Sequence, residues 1–265
     1  MPNSLSKLNL KTFHGFTLVE LAVVMLILAF LLTSGFMSVS ALRKSKNFSD
    51  TRKQLAEIES ALYGFAIAYE RLPCPAIPGN GGQANPLNPA TDCNTYIGFV
   101  PSNTLGINGA VNCDGLLTDP WGRPYRYSVV QADAGNSPGS DFVTTGGIQL
   151  EGMALVRPNI QICRNTSVAC GSGTPTNNIV TTNAVAVVFS MGEPRTNSAA
   201  ENENAGEPGA SMASTCGLNA HELSNDQFYY SSPIIEVDGN EYDDILIWIS
   251  HTVLYNKLLE AGHRP

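Results

Sequence analysis

An uncharged, strongly apolar stretch near the N-terminus constrains the fold of this chain more than any other feature. Residues 21–42 contain no charged side chain, and a helix needs about 20 apolar residues to cross about 30 Å of hydrocarbon. No second stretch in the 265 residues approaches that length. The sequence therefore predicts one membrane-spanning helix at 21–42, followed by a body large enough to have its own core.

Two interpretations of the N-terminus differ in where a peptidase would cut the chain. Lys7 and Lys11 precede the apolar stretch, as basic residues do in an export signal. In an ordinary signal peptide the cleavage site would be Ser38-Val39-Ser40, near the end of the apolar stretch, although the stretch is long for that purpose. In the other interpretation the cut falls between Gly15 and Phe16, and the stretch remains as a permanent helix.

The segment GFTLVEL at residues 15–21, after a basic leader, resembles the processing motif of type IV prepilins and type II secretion pseudopilins. This resemblance implies an inner-membrane prepilin peptidase that cuts after Gly15 and methylates the new amino group of Phe16. It also implies that Glu20, the fifth residue of the mature chain, pairs with the N-terminal amine of a neighbouring subunit during filament assembly.

The physical chemistry of Glu20 agrees with that role. A carboxylate within hydrocarbon costs about 2.5–3.5 kcal/mol on insertion scales and marks a functional site by default. It needs a cation at the same depth, and a new α-amino group on Phe16 would provide one. The alternative is that Glu20 only lies in the first helical turn, where a negative charge favours the helix dipole and reaches the interface.

The cysteines indicate an oxidising compartment, because all of them follow the apolar stretch. They are Cys74, Cys93, Cys113, Cys163, Cys170 and Cys216. Only the pairing Cys163–Cys170, which closes a short loop, is predicted; the other pairings stay open. We therefore expect a single-pass protein of the inner membrane with a periplasmic body, located after assembly in a periplasmic pseudopilus or a surface filament.

Composition argues against nucleic acid as a partner and against catalysis. The net charge of −8 leaves no extended basic face for phosphates. His221-Glu222 lacks a second histidine four residues after the first, as a zinc protease would need. No paired C-x-x-C spacing suggests structural zinc. We expect no enzymatic activity.

Periodicity predicts that the apolar helix continues well beyond the stretch. A helix from about residue 17 to residue 71 should end at the prolines of Leu72-Pro73-Cys74-Pro75. One stripe of this helix should face the core; it consists of Leu55, Ile58, Leu62, Phe65 and Tyr69.

Beyond this helix the sequence predicts loops, short strands and a final helix. Residues 76–120 should form a loop-rich connection pinned by cysteines. The segment DPWGRPYRY, 119–127, reads as a turn into a strand and resembles the segment before the first strand of the major type II secretion pseudopilin, which makes Trp121 and Tyr125 structural anchors. Further strands are predicted at Met153–Arg157, Ala184–Ser190 and Ile245–Ser250, and an exposed insertion at 192–215. A final helix should begin at the N-cap Ser250 and end at Gly262, with its Val and Leu side chains facing inward.

A calcium site is the one cofactor site that the resemblance implies. Its ligands would be Glu193, Asp243 and Asp244, with the backbone near Ser190, because calcium needs six to eight oxygen ligands. Two departures weaken the match: Glu193-Pro194 stands where the family usually has Asp-Gly, and about two dozen extra residues interrupt the loop. The alternative is that Asp243 and Asp244 form a turn and salt bridges where the strand starts.

Taken together, these features predict an α+β, pilin-like fold. A long N-terminal helix, first transmembrane and then amphipathic, would pack on an antiparallel sheet with disulfide-pinned insertions and a C-terminal helix. The predicted divisions are a leader at 1–15, the assembly helix at 16–72 and a periplasmic head at 73–265. The expected function is a structural subunit of a type II secretion pseudopilus or type IV pilus, with other subunits, prepilin peptidase, the assembly platform and membrane lipid as partners. The alternative is an anchored or secreted binding module, such as an adhesin, that forms no filament.

Overall fold

The computed structural model of the chain describes most of the residues in its helices and in its larger sheet. The described residues are 15, 17–88, 92–130, 142–149, 160–164, 170–171, 173–193, 211–212, 221–222, 228–233 and 242–263; for 31–41, 211–212 and 221–222 only the backbone is described. The chain divides into two compact units, Met1–Lys46 and Asn47–Pro265. The division into leader, assembly helix and head remains a prediction.

Helix α1, Leu18–Tyr69, is the longest element and begins and ends close to the predicted positions. Its end has a clear physical cause, because Glu70 adopts a left-handed conformation with φ 56° and two prolines follow within five residues. In the first unit the large apolar side chains of α1 from Leu18 to Phe30 are 47–86% exposed. Within the part of the chain that the structure describes, no helix is long and apolar enough to span a membrane. The predicted span at 21–42 falls partly on 31–41, whose side chains lie outside that description.

In the second unit, the predicted stripe of α1 forms one side of the hydrophobic core. Leu55, Ile58, Leu62 and Phe65 are buried, in agreement with the sequence. Tyr69 was predicted to be buried and is instead 53% exposed, because its ring stacks on Phe65 at the end of the helix, 4.4 Å between centroids, rather than entering the core.

A mixed sheet forms the other side of this core. Its strands are β1 (Ile97–Phe99), β2 (Arg126–Val129), β3 (Ile160–Cys163), β4 (Ile179–Ser190), β7 (Phe228–Tyr230) and β8 (Ile245–Ser250). The strand order is β1-β2-β4-β3-β7, and β8 pairs with β4. Because β4 is long, β3 pairs with its N-terminal half whereas β2 and β8 pair with its C-terminal half.

The strand pairing is antiparallel except at one edge, where β3 and β7 run parallel. The prediction of a purely antiparallel sheet was therefore wrong at that edge. The strands β5 (Ser211–Met212) and β6 (His221–Glu222) form a separate antiparallel pair. The strands predicted at Ala184–Ser190 and Ile245–Ser250 are confirmed as parts of β4 and β8, whereas Met153–Arg157 lies outside the described residues.

The connection from residue 76 to residue 120 is mostly loop, as predicted, with β1 and the short helix α2 (Ser102–Leu105) inside it. A disulfide joins Cys74 to Cys93 across the start of this connection. The predicted pair Cys163–Cys170 is confirmed.

Cys113 is also disulfide-bonded, and Cys216 lies outside the described residues. No cysteine in the described part of the chain is free.

Helix α3, His251–Glu260, follows β8 directly. Its end matches the prediction, because Gly262 is left-handed and donates its N–H to Leu259 O while His263 donates to Leu258 O, the Schellman arrangement. Two details of the predicted helix were wrong. Ser250 stands at the N-cap without a side-chain capping bond, and Val253 is 43% exposed, because Leu254 and Leu258 occupy the buried face.

Candidate functional site

The start of α1 forms a reciprocal hydrogen-bonded cap around Glu20. The Thr17 hydroxyl accepts the Glu20 N–H at 3.2 Å. In return, Glu20 Oε2 accepts the Thr17 backbone N–H at 3.1 Å and the Thr17 hydroxyl at 3.0 Å. This is a capping box, in which the residue before the helix and the third helical residue satisfy each other's backbone donors. The carboxylate of Glu20 is thereby held at the N-terminal end of the helix.

Only one oxygen of this carboxylate takes part in the cap. Both Thr17 bonds end on Oε2, and within the described part of the chain no hydrogen bond reaches Oε1. Glu20 is exposed. Among the described residues, one carboxylate oxygen of Glu20 therefore remains open at the helix start.

The predicted cleavage position lies just before this cap. Gly15 is exposed, and a Cβ built on it would meet nothing within 4 Å. Phe16 lies outside the described residues. Cleavage after Gly15 therefore stays a prediction.

A second hydrogen-bonded centre lies at Asp119, the first residue of the DPWG turn. Its Oδ1 accepts the N–H groups of Trp121 and Arg123, at 3.0 and 2.9 Å. Its Oδ2 accepts the hydroxyl of Ser190 at 2.6 Å, so this carboxylate joins the turn to the end of β4. Burial raises the pKa of Asp119 above its ordinary value, and the hydrogen bonds from Ser190 and from the backbone of Arg123 and Trp121 oppose that rise.

The same turn contacts α1 through its aromatic residues, as the sequence predicted for structural anchors. The ring of Trp121 packs edge-to-face on Phe48, 5.1 Å between centroids. Buried Tyr125 donates its hydroxyl to Gln54 Oε1 at 3.1 Å. The turn is therefore fastened to the helix on one side and to β4 on the other.

The structure brings together some of the predicted calcium ligands. Asp243 Oδ2 accepts the N–H of Glu193 at 2.9 Å, and a Cβ added to Gly192 would come within 2.7 Å of Asp243. Ser190 is already engaged, since its hydroxyl donates to Asp119 and accepts the N–H of Gly192 at 3.1 Å.

These contacts do not make a calcium cage. Asp243 and Asp244 are buried, and within the described part of the chain no group of three or more His, Cys, Asp or Glu side chains is placed to hold a metal ion. Calcium needs six to eight oxygen ligands, and the described carboxylates do not complete such a site by themselves. The calcium assignment remains a prediction that depends on residues 194–210 and 234–241, which lie outside the description.

The sequence analysis missed two contacts of these centres. They are the cap that Thr17 forms with Glu20 and the hydrogen bond between Asp119 and Ser190. The signal for Thr17 was present, because Thr17-x-x-Glu20 before an apolar run is a capping-box pattern. The Asp119–Ser190 bond joins residues 71 positions apart, and no local pattern predicts such a contact.

Comparison with known proteins identifies the N-terminal segment. The prokaryotic N-terminal methylation motif matches residues 10–36, which confirms the resemblance carried by residues 15–21. Neither a curated protein nor a solved structure matches the chain. The motif therefore identifies the leader and the start of α1, and the pilin-like architecture of the body remains a prediction.

Proposed function

We propose that this chain, which carries the leader signature of type IV pilins and pseudopilins, is a structural subunit of a type II secretion pseudopilus or a type IV pilus. The observation that carries the proposal is the methylation motif at residues 10–36. Prepilin peptidase cuts after Gly15 and methylates Phe16, and the inner-membrane assembly platform adds the processed subunit to other subunits.

The exposed apolar surface of α1 supports this proposal. From Leu18 to Phe30 every large apolar side chain is at least 47% exposed, and apolar surface of this extent is unfavourable in water. Lipid covers this surface before assembly, and the helices of neighbouring subunits cover it afterwards. The helix is thus a membrane anchor first and an assembly element second.

The capping box supports a specific role for Glu20 in this assembly. Because Thr17 uses only Oε2, Oε1 is available to a neighbour's N-terminal amine. A charge-assisted bond from an amine to a carboxylate is about twice as strong as a neutral one, and it is stronger still where water is excluded. Thr17 therefore orients the carboxylate, and Glu20 pairs with the neighbouring amine.

Replacement of Glu20 tests this role. We expect Glu20→Val to abolish assembly, measured as loss of filaments in electron microscopy for a pilus or as loss of secretion for a pseudopilus, while leader cleavage proceeds normally. Glu57→Val, which removes an exposed carboxylate from the same helix, is the matched control and should assemble. Normal assembly of Glu20→Val would contradict the pairing.

The mature N-terminus tests the class of protein. Mass spectrometry of the native product should find N-methyl-Phe16 as the first residue. A start near Ala41 would instead indicate a secreted binding module that forms no filament. Retention of residues 1–15 would exclude processing of this kind.

A further inference from the structure

Three basic residues immediately follow the apolar stretch of α1. Arg43 and Lys46 are exposed and Lys44 is half-buried. No acidic residue occurs between Glu20 and Asp50, and Asp50 lies 3.9 Å from Lys53. Arg43 therefore has no carboxylate within one helical turn in the sequence, whereas Lys46 has Asp50 four residues later, which lies near Lys53.

The spacing along the helix places these charges at a bilayer boundary. Arg43 and Lys46 are three residues apart and so share a helix face. From Glu20 to Arg43 the helix rises about 35 Å at about 1.5 Å per residue, slightly more than the roughly 30 Å of the hydrocarbon core. When Glu20 lies at one boundary of the hydrocarbon, Arg43 reaches the headgroups at the other.

We propose that Arg43 and Lys46 bind the phosphate groups of anionic phospholipids and so set the depth of α1 in the bilayer before assembly. This inference rests on the proposed function only in that the helix is anchored in a membrane. An arginine fork matches phosphate oxygens with two bonds, and a lysine adds a compact charge. Charge complementarity selects anionic over zwitterionic headgroups, since phosphate in the latter is already neutralised within the lipid.

The expected size of the effect follows from surface electrostatics. A basic residue next to an anionic leaflet strengthens binding about fivefold, so two such residues together give about 30-fold. The preference should weaken as ionic strength rises, because the Debye length falls to about 3 Å at 1 M salt.

Vesicle partitioning of the full processed chain tests the proposal. The probes are phosphatidylcholine vesicles and vesicles with about one-third phosphatidylglycerol, a composition we choose to give an anionic surface. The wild type should prefer the anionic vesicles by an order of magnitude or more at low salt. Arg43→Gln/Lys46→Gln should lose most of this preference and keep its binding to the neutral vesicles.

A variant with the same change of charge separates local recognition from net charge. Arg52→Gln/Lys53→Gln removes two exposed basic residues later in the chain and should keep the preference. Equal loss in the two variants, or no anionic preference in the wild type, would overturn the proposal and leave the anchoring intact. Failure to bind either kind of vesicle would overturn the proposed function as well.

Discussion

At Asp119 one buried carboxylate holds a turn and a strand end together. It accepts two backbone N–H groups of its own turn and the hydroxyl of Ser190. Three hydrogen bonds satisfy most of its acceptor capacity, yet burial still raises its pKa. The residue is therefore placed where the ionised form is costly and the hydrogen bonds offset only part of the cost.

The raised pKa of Asp119 predicts a specific pH dependence of stability. A carboxyl whose pKa is higher in the folded state contributes stability that is fully present below its unfolded pKa and is lost as pH rises through the folded pKa. The unfolding free energy of the wild type minus that of Asp119→Asn should therefore fall from about pH 4 upward. Urea titrations at several pH values measure this difference.

Ser190→Ala provides the matched comparison for that experiment. The Ser190 hydroxyl stabilises the ionised form of Asp119. Removal of this hydroxyl should therefore raise the pKa of Asp119 further and enlarge the fall of the unfolding free energy as pH rises. A difference between the wild type and Asp119→Asn that is flat or rises with pH would contradict the assignment.

Substitution of glycine by alanine should have opposite effects on stability at two positions, Gly64 and Gly98. Gly64 is exposed in α1, and a Cβ added there would meet nothing within 4 Å. Gly64→Ala should therefore raise the unfolding free energy by about 0.5–1 kcal/mol, since glycine is a poor helix former. Gly98 in β1 would place a Cβ 2.7 Å from the backbone oxygen of Ala76. Gly98→Ala should therefore lower the unfolding free energy by about 1–3 kcal/mol. Denaturant unfolding of both variants checks the contrast, and equal signs would show that the local packing is different.

At the scale of the element, the capping box decides how α1 begins. Its first backbone donors have no partners within the helix, and Thr17 and Glu20 satisfy two of them between themselves. The same pair keeps the carboxylate at the helix end. The start of the helix and the proposed assembly contact thus both depend on the capping box of Thr17 and Glu20.

Substitution of Thr17 tests this dependence. Thr17→Ala should weaken the first turn by about 0.5–2 kcal/mol, the usual cost of a lost cap, seen as faster amide hydrogen exchange at residues 18–21. Thr17→Ser keeps the hydroxyl and should exchange like the wild type. Unchanged exchange in Thr17→Ala would mean that the cap does not hold the helix start.

At the scale of the whole molecule, disulfides close loops of different length. Cys74–Cys93 closes a separation of 19 residues and Cys163–Cys170 one of 7. In the chain-entropy model the longer loop gains more stability. The first bond also fixes the chain where it leaves α1.

Removal of each disulfide should therefore have unequal effects. The double variant Cys74→Ser/Cys93→Ser should lose about 3 kcal/mol of unfolding free energy, and Cys163→Ser/Cys170→Ser about 1 kcal/mol less than that. Thermal or denaturant unfolding of the two variants measures the order. A larger loss for the second pair would mean that contacts around β3, rather than loop length, dominate.

Local sequence patterns were sufficient for features that depend on neighbouring residues. The end of α1 followed from Pro73 and Pro75, β8 from the run Ile245–Ser250, and the end of α3 from Gly262. The pairing Cys163–Cys170 followed from its short separation. Contacts between distant residues did not follow, as the parallel pairing of β3 with β7 shows.

The sequence alone determined the methylation motif, the long helix with its apolar start, and the turn at DPWG, because each depends on residues within a few positions of one another. Only the tertiary structure decided that Asp119 bonds to Ser190, that Trp121 packs on Phe48, and that β4 joins three strands. The physical reason is that such contacts depend on which surfaces meet when the core is buried, and many pairings of distant segments satisfy the same local pattern.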